Sequence, residues 1–128
     1  MIEAIMPPEA TRPEQVCALV CDGLSDGDLE AAVAQYEATA SLAYAPGRTA
    51  RGHAEIRTVL AGAAASRQLF TVNVRQVLVA DDLALVSGEW SGGDPDAGTG
   101  RYRLVVRHSA GRWRIAVDRI DAAGARDE

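Results

Sequence analysis

The hydrophobic period of this 128-residue chain changes once, near Leu69, and that change constrains the fold more than any other feature. Before it, apolar residues recur at three- and four-residue spacing, as one face of a helix requires; after it they alternate, as a half-buried strand requires. Val16, Leu19, Val20 and Leu24 mark a first helix that enters at Pro13-Glu14 and stops in "DGLSDGD". Ser25 or Asp26 is expected to cap a second helix, with Leu29, Val33 and Tyr36 as its buried line and an end near Glu37 to Thr39. "ASLAYAP" reads as a short strand at 40 to 45, broken by Pro46-Gly47. "TARGHAEIRTVLAGAAAS" then reads as a short third helix with Ile56, Val59 and Leu60 inward and His53, solvent-facing or capping, at its entrance.

Four strand candidates follow: "LFTVNVRQVLVA", "DLALVSGEWSG", "RYRLVVRHSAG" and "RWRIAVDRIDA". Short connections favour antiparallel neighbours. Alternation places Tyr102, Leu104 and Val106 on one face of their strand. In the last strand it places Trp113, Ile115 and Val117 together, opposite Arg114, Ala116 and Asp118. Helices first and sheet afterwards predict one α+β domain over residues 13–121, with tails at 1–12 and 122–128.

A net charge of -5, with the arginines scattered, disfavours nucleic acid as a partner. No run approaches the roughly 18 apolar residues of a membrane span, and "MIEAIMPPEATRPEQ" has no basic segment followed by an apolar core, so a cytoplasmic location is expected, without membrane contact. Cys17 and Cys21, four apart, fit neither a redox pair nor a zinc knuckle and read as small buried hydrophobes. With His53 and His108 unsupported, no metal site is expected. "SGGDPDAGTG" lacks the helix and lysine of a phosphate loop and reads as a mobile hairpin connection.

"GDLEAAVAQYEATASLAYAPG…ARGHAEIRTVLAG", followed by the four strands and "GRWRIAVDRI", resembles the nuclear transport factor 2-like superfamily, and within it the small SnoaL-like and ketosteroid-isomerase-like proteins. The resemblance runs from about Pro13 to Ile120. It implies a cone: a curled antiparallel or mixed sheet packed against three N-terminal helices, paired as a homodimer through the sheet's outer surface. Val72, Val74, Val86 and Val105, which cannot all face inward, support such pairing.

Carried over from ketosteroid isomerase, the catalytic base falls at Tyr44, the oxyanion tyrosine near Val20 and the protonated aspartate near Leu104. All three chemical groups are absent. Tyrosine, with an ordinary pKa of about 10, is a poor base at neutrality, and valine and leucine donate nothing to an enolate, so the familiar isomerisation is not expected. Asp118 is a candidate acid/base because cyclase-like relatives place a polar residue near it, although alternation turns it outward. Glu89 is another, on the face opposite Trp90. Arg101 and Arg103 are expected to neutralise Glu89 or Asp118 across neighbouring strands.

Three functions stay open. The leading one is a small-molecule binder with a hydrophobic pocket touched by Tyr44, Trp90, Val20, Leu104 and Tyr36, without cofactor or metal. The second is a cofactor-independent isomerase, dehydratase or polyketide-cyclase-like enzyme using Asp118 or Glu89. The third, if the cone is filled, is a non-catalytic structural or protein-binding homodimer.

Overall fold

The structure is a computed structural model and describes residues 8–45, 47–65, 70–92 and 98–122. The first seven residues, Pro46, the Leu69 transition, most of the Gly/Asp-rich connection and the tail from 123 onward lie outside these. A 3-10 turn at Pro13–Gln15 leads into α1 (Val16–Ser25), α2 (Leu29–Val33), β1 (Tyr36–Ala45), β2 (Arg48–Arg51), α3 (Gly52–Ala65), β3 (Phe70–Ala80), β4 (Leu83–Gly92), β5 (Thr99–Ser109) and β6 (Arg112–Ala122). The six strands form one sheet in the order β2-β1-β6-β5-β4-β3, with β1 parallel to β6 and every other pair antiparallel. The expected α+β architecture, a mixed open sheet against three helices, is the one adopted.

Several local expectations are corrected. The cap of α2 is Asp28, whose carboxylate accepts from Ala31 N at 3.1 Å, rather than Ser25 or Asp26. α2 ends at Val33, so Tyr36 opens β1 instead of closing a helix. The backbone explains this: Ile115 N donates to Gln35 O at 2.8 Å, so β6 takes up the chain where a further helical turn would have continued. β1 is accordingly longer than "ASLAYAP". The turn after it returns as β2, and α3 is the longest helix among the described residues rather than a short one. α2 and α3 are clamped by Arg57, whose Nε and Nη2 donate to Glu30 at 2.8 to 3.1 Å.

The decisive correction concerns β6. Val105 lies opposite Val117 and Val106 lies opposite Ile115, so Ala116 is an extra residue with no partner across the ladder. Such a bulge reverses the inward/outward parity of everything beyond it. Trp113 and Ile115 point inward as expected, but Val117 is 47% exposed and Asp118 only 4%. The prediction that Asp118 faces outward with Arg114 and Ala116 is therefore overturned by one inserted residue. β3 carries a second bulge at Arg75, and such bulges bend the strands around the helices.

Cross-strand rows follow from the registers. Val77, Val86, Leu104 and Asp118 form one inward row; Val74, Gly88, Tyr102 and Ile120 form the next. On the outer face Leu78, Leu85, Val105 and Val117 form an apolar row across four strands. Of the four valines that were not expected all to face inward, Val105 is the one that faces outward: Val86 is buried and Val72 and Val74 pack against the core. The core joins this inner face to Val16 and Val20 of α1 and to Ile56 and Leu60 of α3.

Candidate functional site

The helices do not fill the sheet's concave side completely. A cavity of about 190 Å³ remains, bounded by Cys17, Val20, Cys21 and Leu24 of α1, Val59, Leu60 and Ala63 of α3, and inward side chains of β1, β3, β4, β5 and β6. Nearly all of its wall is apolar. The exceptions are the Cys17 and Cys21 thiols, Asp118 and the hydroxyls of Tyr36 and Tyr102.

The Tyr36 hydroxyl donates to Asp118 Oδ2 at 2.7 Å, across 82 residues of sequence. The other carboxyl oxygen, Oδ1, is buried without a partner among the described residues, and so is the Tyr102 hydroxyl. A buried carboxyl with half its hydrogen-bonding capacity unused costs free energy in the empty protein. Burial pushes Asp118 up to about 7, and the bond from Tyr36 opposes that shift only in part. The carboxyl is thus available both as an acid and as a base near neutrality. Burial also raises both tyrosines, with the Asp118 charge adding to it, so each remains a hydroxyl donor.

Tyr102 owes its position to two features. The β5 alternation turns it inward, and Gly88, its partner on β4, leaves room for the ring: a Cβ there would stand 2.8 Å from the Tyr102 hydroxyl and collide with the Asn73 carbonyl. Tyr36 is fixed by β1, and its carbonyl accepts from His53 Nε2 at 2.7 Å, which ties the entrance of α3 to the same strand.

The sequence-derived candidates are distributed unevenly. Val20, Tyr36, Trp90 and Asp118 come together on the cavity wall. Leu104 is buried in the adjoining core and Tyr44 packs half-buried against it; neither lines the cavity. Glu89 stands on the outer face, ion-paired with Arg75 at 2.8 Å. That pairing replaces the expected one with Arg101 or Arg103, and Arg103 instead meets Asp121 at 3.7 Å. Tyr102 was not among the candidates, although alternation had placed it on the same face as the candidate Leu104. Its signal is a tyrosine among aliphatic inward positions with a glycine opposite. The thiols were read only as packing. Among the described residues, no three potential metal ligands cluster, and no helix is long and apolar enough to cross a membrane.

Comparison with known proteins gives a consistent answer. The family model described as the SnoaL-like domain matches residues 18–122. No curated protein matches the chain. Among solved structures, a protein of unknown function with a cystatin-like fold from Nostoc punctiforme superposes with a TM-score of 0.78 at 17% identity, over 88% of this chain and 89% of that one. An NTF-2 like protein of unknown function from Shewanella oneidensis gives 0.73 at 21% identity, over 84% and 93%. An NTF2-like protein with a cystatin-like fold from Novosphingobium aromaticivorans gives 0.73 at 16% identity, over 88% and 80%. At such identities the likeness speaks to fold alone.

Proposed function

The chain belongs to the SnoaL-like domain family, and from that premise we propose that it binds a small, largely apolar carbonyl compound and moves a proton on it with Asp118. One observation carries the reading: a carboxyl poised near neutrality, with Oδ1 unpartnered, in the wall of an apolar cavity. In this role Oδ1 takes a proton from the carbon next to the carbonyl and returns it elsewhere. The Tyr102 hydroxyl donates to the oxygen on which charge develops. Tyr36 is a positioning residue that holds Oδ2 and aims Oδ1. Isomerisation, dehydration and aldol-type ring closure all begin with that proton transfer.

The cavity also limits size. At interior packing density, about 190 Å³ holds on the order of ten non-hydrogen atoms, a one- or two-ring compound. The test is exchange of the α-hydrogens of small cyclic ketones such as 2-indanone in deuterated buffer. Wild-type protein is expected to exceed Asp118→Asn by roughly 10²- to 10⁴-fold, the usual reach of a general acid/base. Binding without exchange would leave a binder and remove the catalytic reading.

We also infer a homodimer through the outer face. Leu78 and Leu85 are 53% and 39% exposed in the row that continues through Val105 and Val117. Much of the charge around this row is paired within the chain: Arg103 and Arg119 share Asp121, Arg107 meets Glu37, and Arg75 meets Glu89. Such pairing lessens the like-charge repulsion between this face and its own copy. Light scattering is expected to give twice the chain mass for wild type and the chain mass for Val117→Lys. A monomeric wild type at micromolar concentration would contradict the pairing.

A further inference from the structure

The cavity wall is graded from one end to the other. Its oxygen-bearing side chains are all at the buried end: Tyr36, Tyr102 and Asp118 are 1%, 2% and 4% exposed. Leu24, Val59, Ala63, Val72, Trp90 and Ile120 also border the cavity, and each of these is partly exposed. The opening to solvent is therefore hydrocarbon. The indole N–H of Trp90 already donates to the Asp121 carbonyl at 3.2 Å. The sheet registers give the direction of the gradient. Successive inward rows run from Trp90 with Gly100, through Gly88 with Tyr102 and Ile120, to Val86 with Leu104 and Asp118. Rows on one face lie about 7 Å apart, so the Trp90 row stands on the order of 13 Å from the Asp118 row along the strands.

Charge acts in the same direction. Leu24 and Ala63 belong to the last turns of α1 and α3, where a helix carries partial negative charge, and neither turn holds a basic residue to offset it. Asp22 and Asp26 stand exposed beside Leu24. Among the described residues no Lys, Arg or His borders the cavity. An anion would thus lack a counter-charge at either end.

We propose that the ligands of this cavity are neutral ketones with an apolar substituent remote from the carbonyl, taken in carbonyl first, and that Trp90 and Val72 set the length of substituent that is covered. This rests on the reading of the cavity as the site of a carbonyl compound. Tyr102 and Asp118 each hold a buried oxygen without a partner, and only a ligand whose polar atom travels the full depth can meet them. Its substituent then lies against the apolar opening. A six-membered cyclic ketone with about three further carbons comes to the ten or so non-hydrogen atoms that about 190 Å³ accommodates. A longer chain passes the opening into water and gains nothing more. A substituent beside the carbonyl would instead meet the closed end, where Leu42, Leu60 and Ile115 are buried.

The experiment measures dissociation constants by NMR titration of the full wild-type chain with 4-methyl-, 4-ethyl-, 4-propyl- and 4-pentylcyclohexanone, and α-hydrogen exchange on the same compounds. Affinity is expected to rise about threefold to fourfold per methylene from methyl to propyl, as burial of a methylene gives, and to level off by pentyl. 2-Propylcyclohexanone is as hydrophobic as its 4-propyl isomer but carries the chain at the closed end, and should bind about tenfold or more weakly. 4-Oxocyclohexanecarboxylate should likewise bind about tenfold or more weakly than its methyl ester. Trp90→Ala should flatten the rise with chain length. Ratios are compared within one protein, so a general loss of affinity cancels, and the wild-type measurements stand even if that variant fails to fold. An affinity independent of chain length, a 2-propyl isomer that binds as well as the 4-propyl, or a carboxylate that binds as well as its ester would overturn the proposal. Graded binding without exchange removes only the proton transfer, whereas exchange without the gradation sinks only the carbonyl-first orientation. Absence of binding by every ketone sinks both.

Discussion

Replacing Asp118 by asparagine should make the protein's stability less sensitive to pH, in a direction opposite to that of an ordinary paired carboxylate. In the folded chain Asp118 titrates at about 7 against an ordinary 3.8, because burial penalises its charge. Between those two values the folded protein holds a proton that the unfolded chain has released, so stability falls as pH rises through the window. The contribution is fully present below the ordinary value and lost above about 7. At about 1.4 kcal/mol per pH unit the whole window amounts to about 4 kcal/mol, and the part between pH 5 and pH 8 to about 3 kcal/mol. Asparagine keeps the shape and an oxygen for the Tyr36 hydroxyl to bond, but it has no charge to bury. Urea unfolding of both proteins at pH 5, 6, 7 and 8 gives the difference in stability at each pH, in which every other titrating group cancels. That difference should shift by about 3 kcal/mol in favour of the variant from pH 5 to pH 8. A difference that stays constant with pH would refute the reasoning, since it would mean that Asp118 is ionised throughout.

Three further outcomes follow from the same geometry. Tyr36→Phe removes the bond that holds Asp118 down; the carboxyl should titrate higher still, and urea unfolding should show a loss of about 1–3 kcal/mol. Gly88→Ala pushes a methyl group against the Tyr102 hydroxyl and the Asn73 carbonyl; thermal unfolding should report a cost of at least about 1–3 kcal/mol, together with impaired ketone exchange. Tyr44→Phe alters a hydroxyl that is not on the cavity wall, so the ketone exchange rate should be unchanged.

The fold was legible because its signals are long. Eleven-residue strands such as β5 and β6 state their alternation repeatedly, and the apolar faces of α1 and α3 recur over several turns. Short-range competition was harder to read. Tyr36 sits at helical spacing from Leu29 and Val33, yet it also begins a ten-residue strand, and only the bond from Ile115 to Gln35 decides between them. The site was misread for a sharper reason. Parity along β6 is preserved on both sides of Ala116 and reversed between them, and alanine in a strand gives no local sign of a bulge, whereas the glycine and proline at other breaks do. Asp118 was therefore recognised as the chemically interesting carboxylate and assigned to the wrong face. Tyr44 drew attention through family position, while the hydroxyls that the fold brings to Asp118 come from Tyr36 and Tyr102, 82 and 16 residues away in sequence.

The claim on which the rest depends is that one extra residue in β6 turns Asp118 into an apolar cavity and holds its carboxyl near neutral pKa. The direct measurement is a carbon-13 NMR titration of the Asp118 side-chain carboxyl from pH 3 to pH 9, assigned by its disappearance in Asp118→Asn. A single transition at about 7, moving higher in Tyr36→Phe, is the expected result. A transition near 4, the value of a solvated aspartate, would place the carboxyl in water and contradict both the cavity assignment and the chemistry built on it.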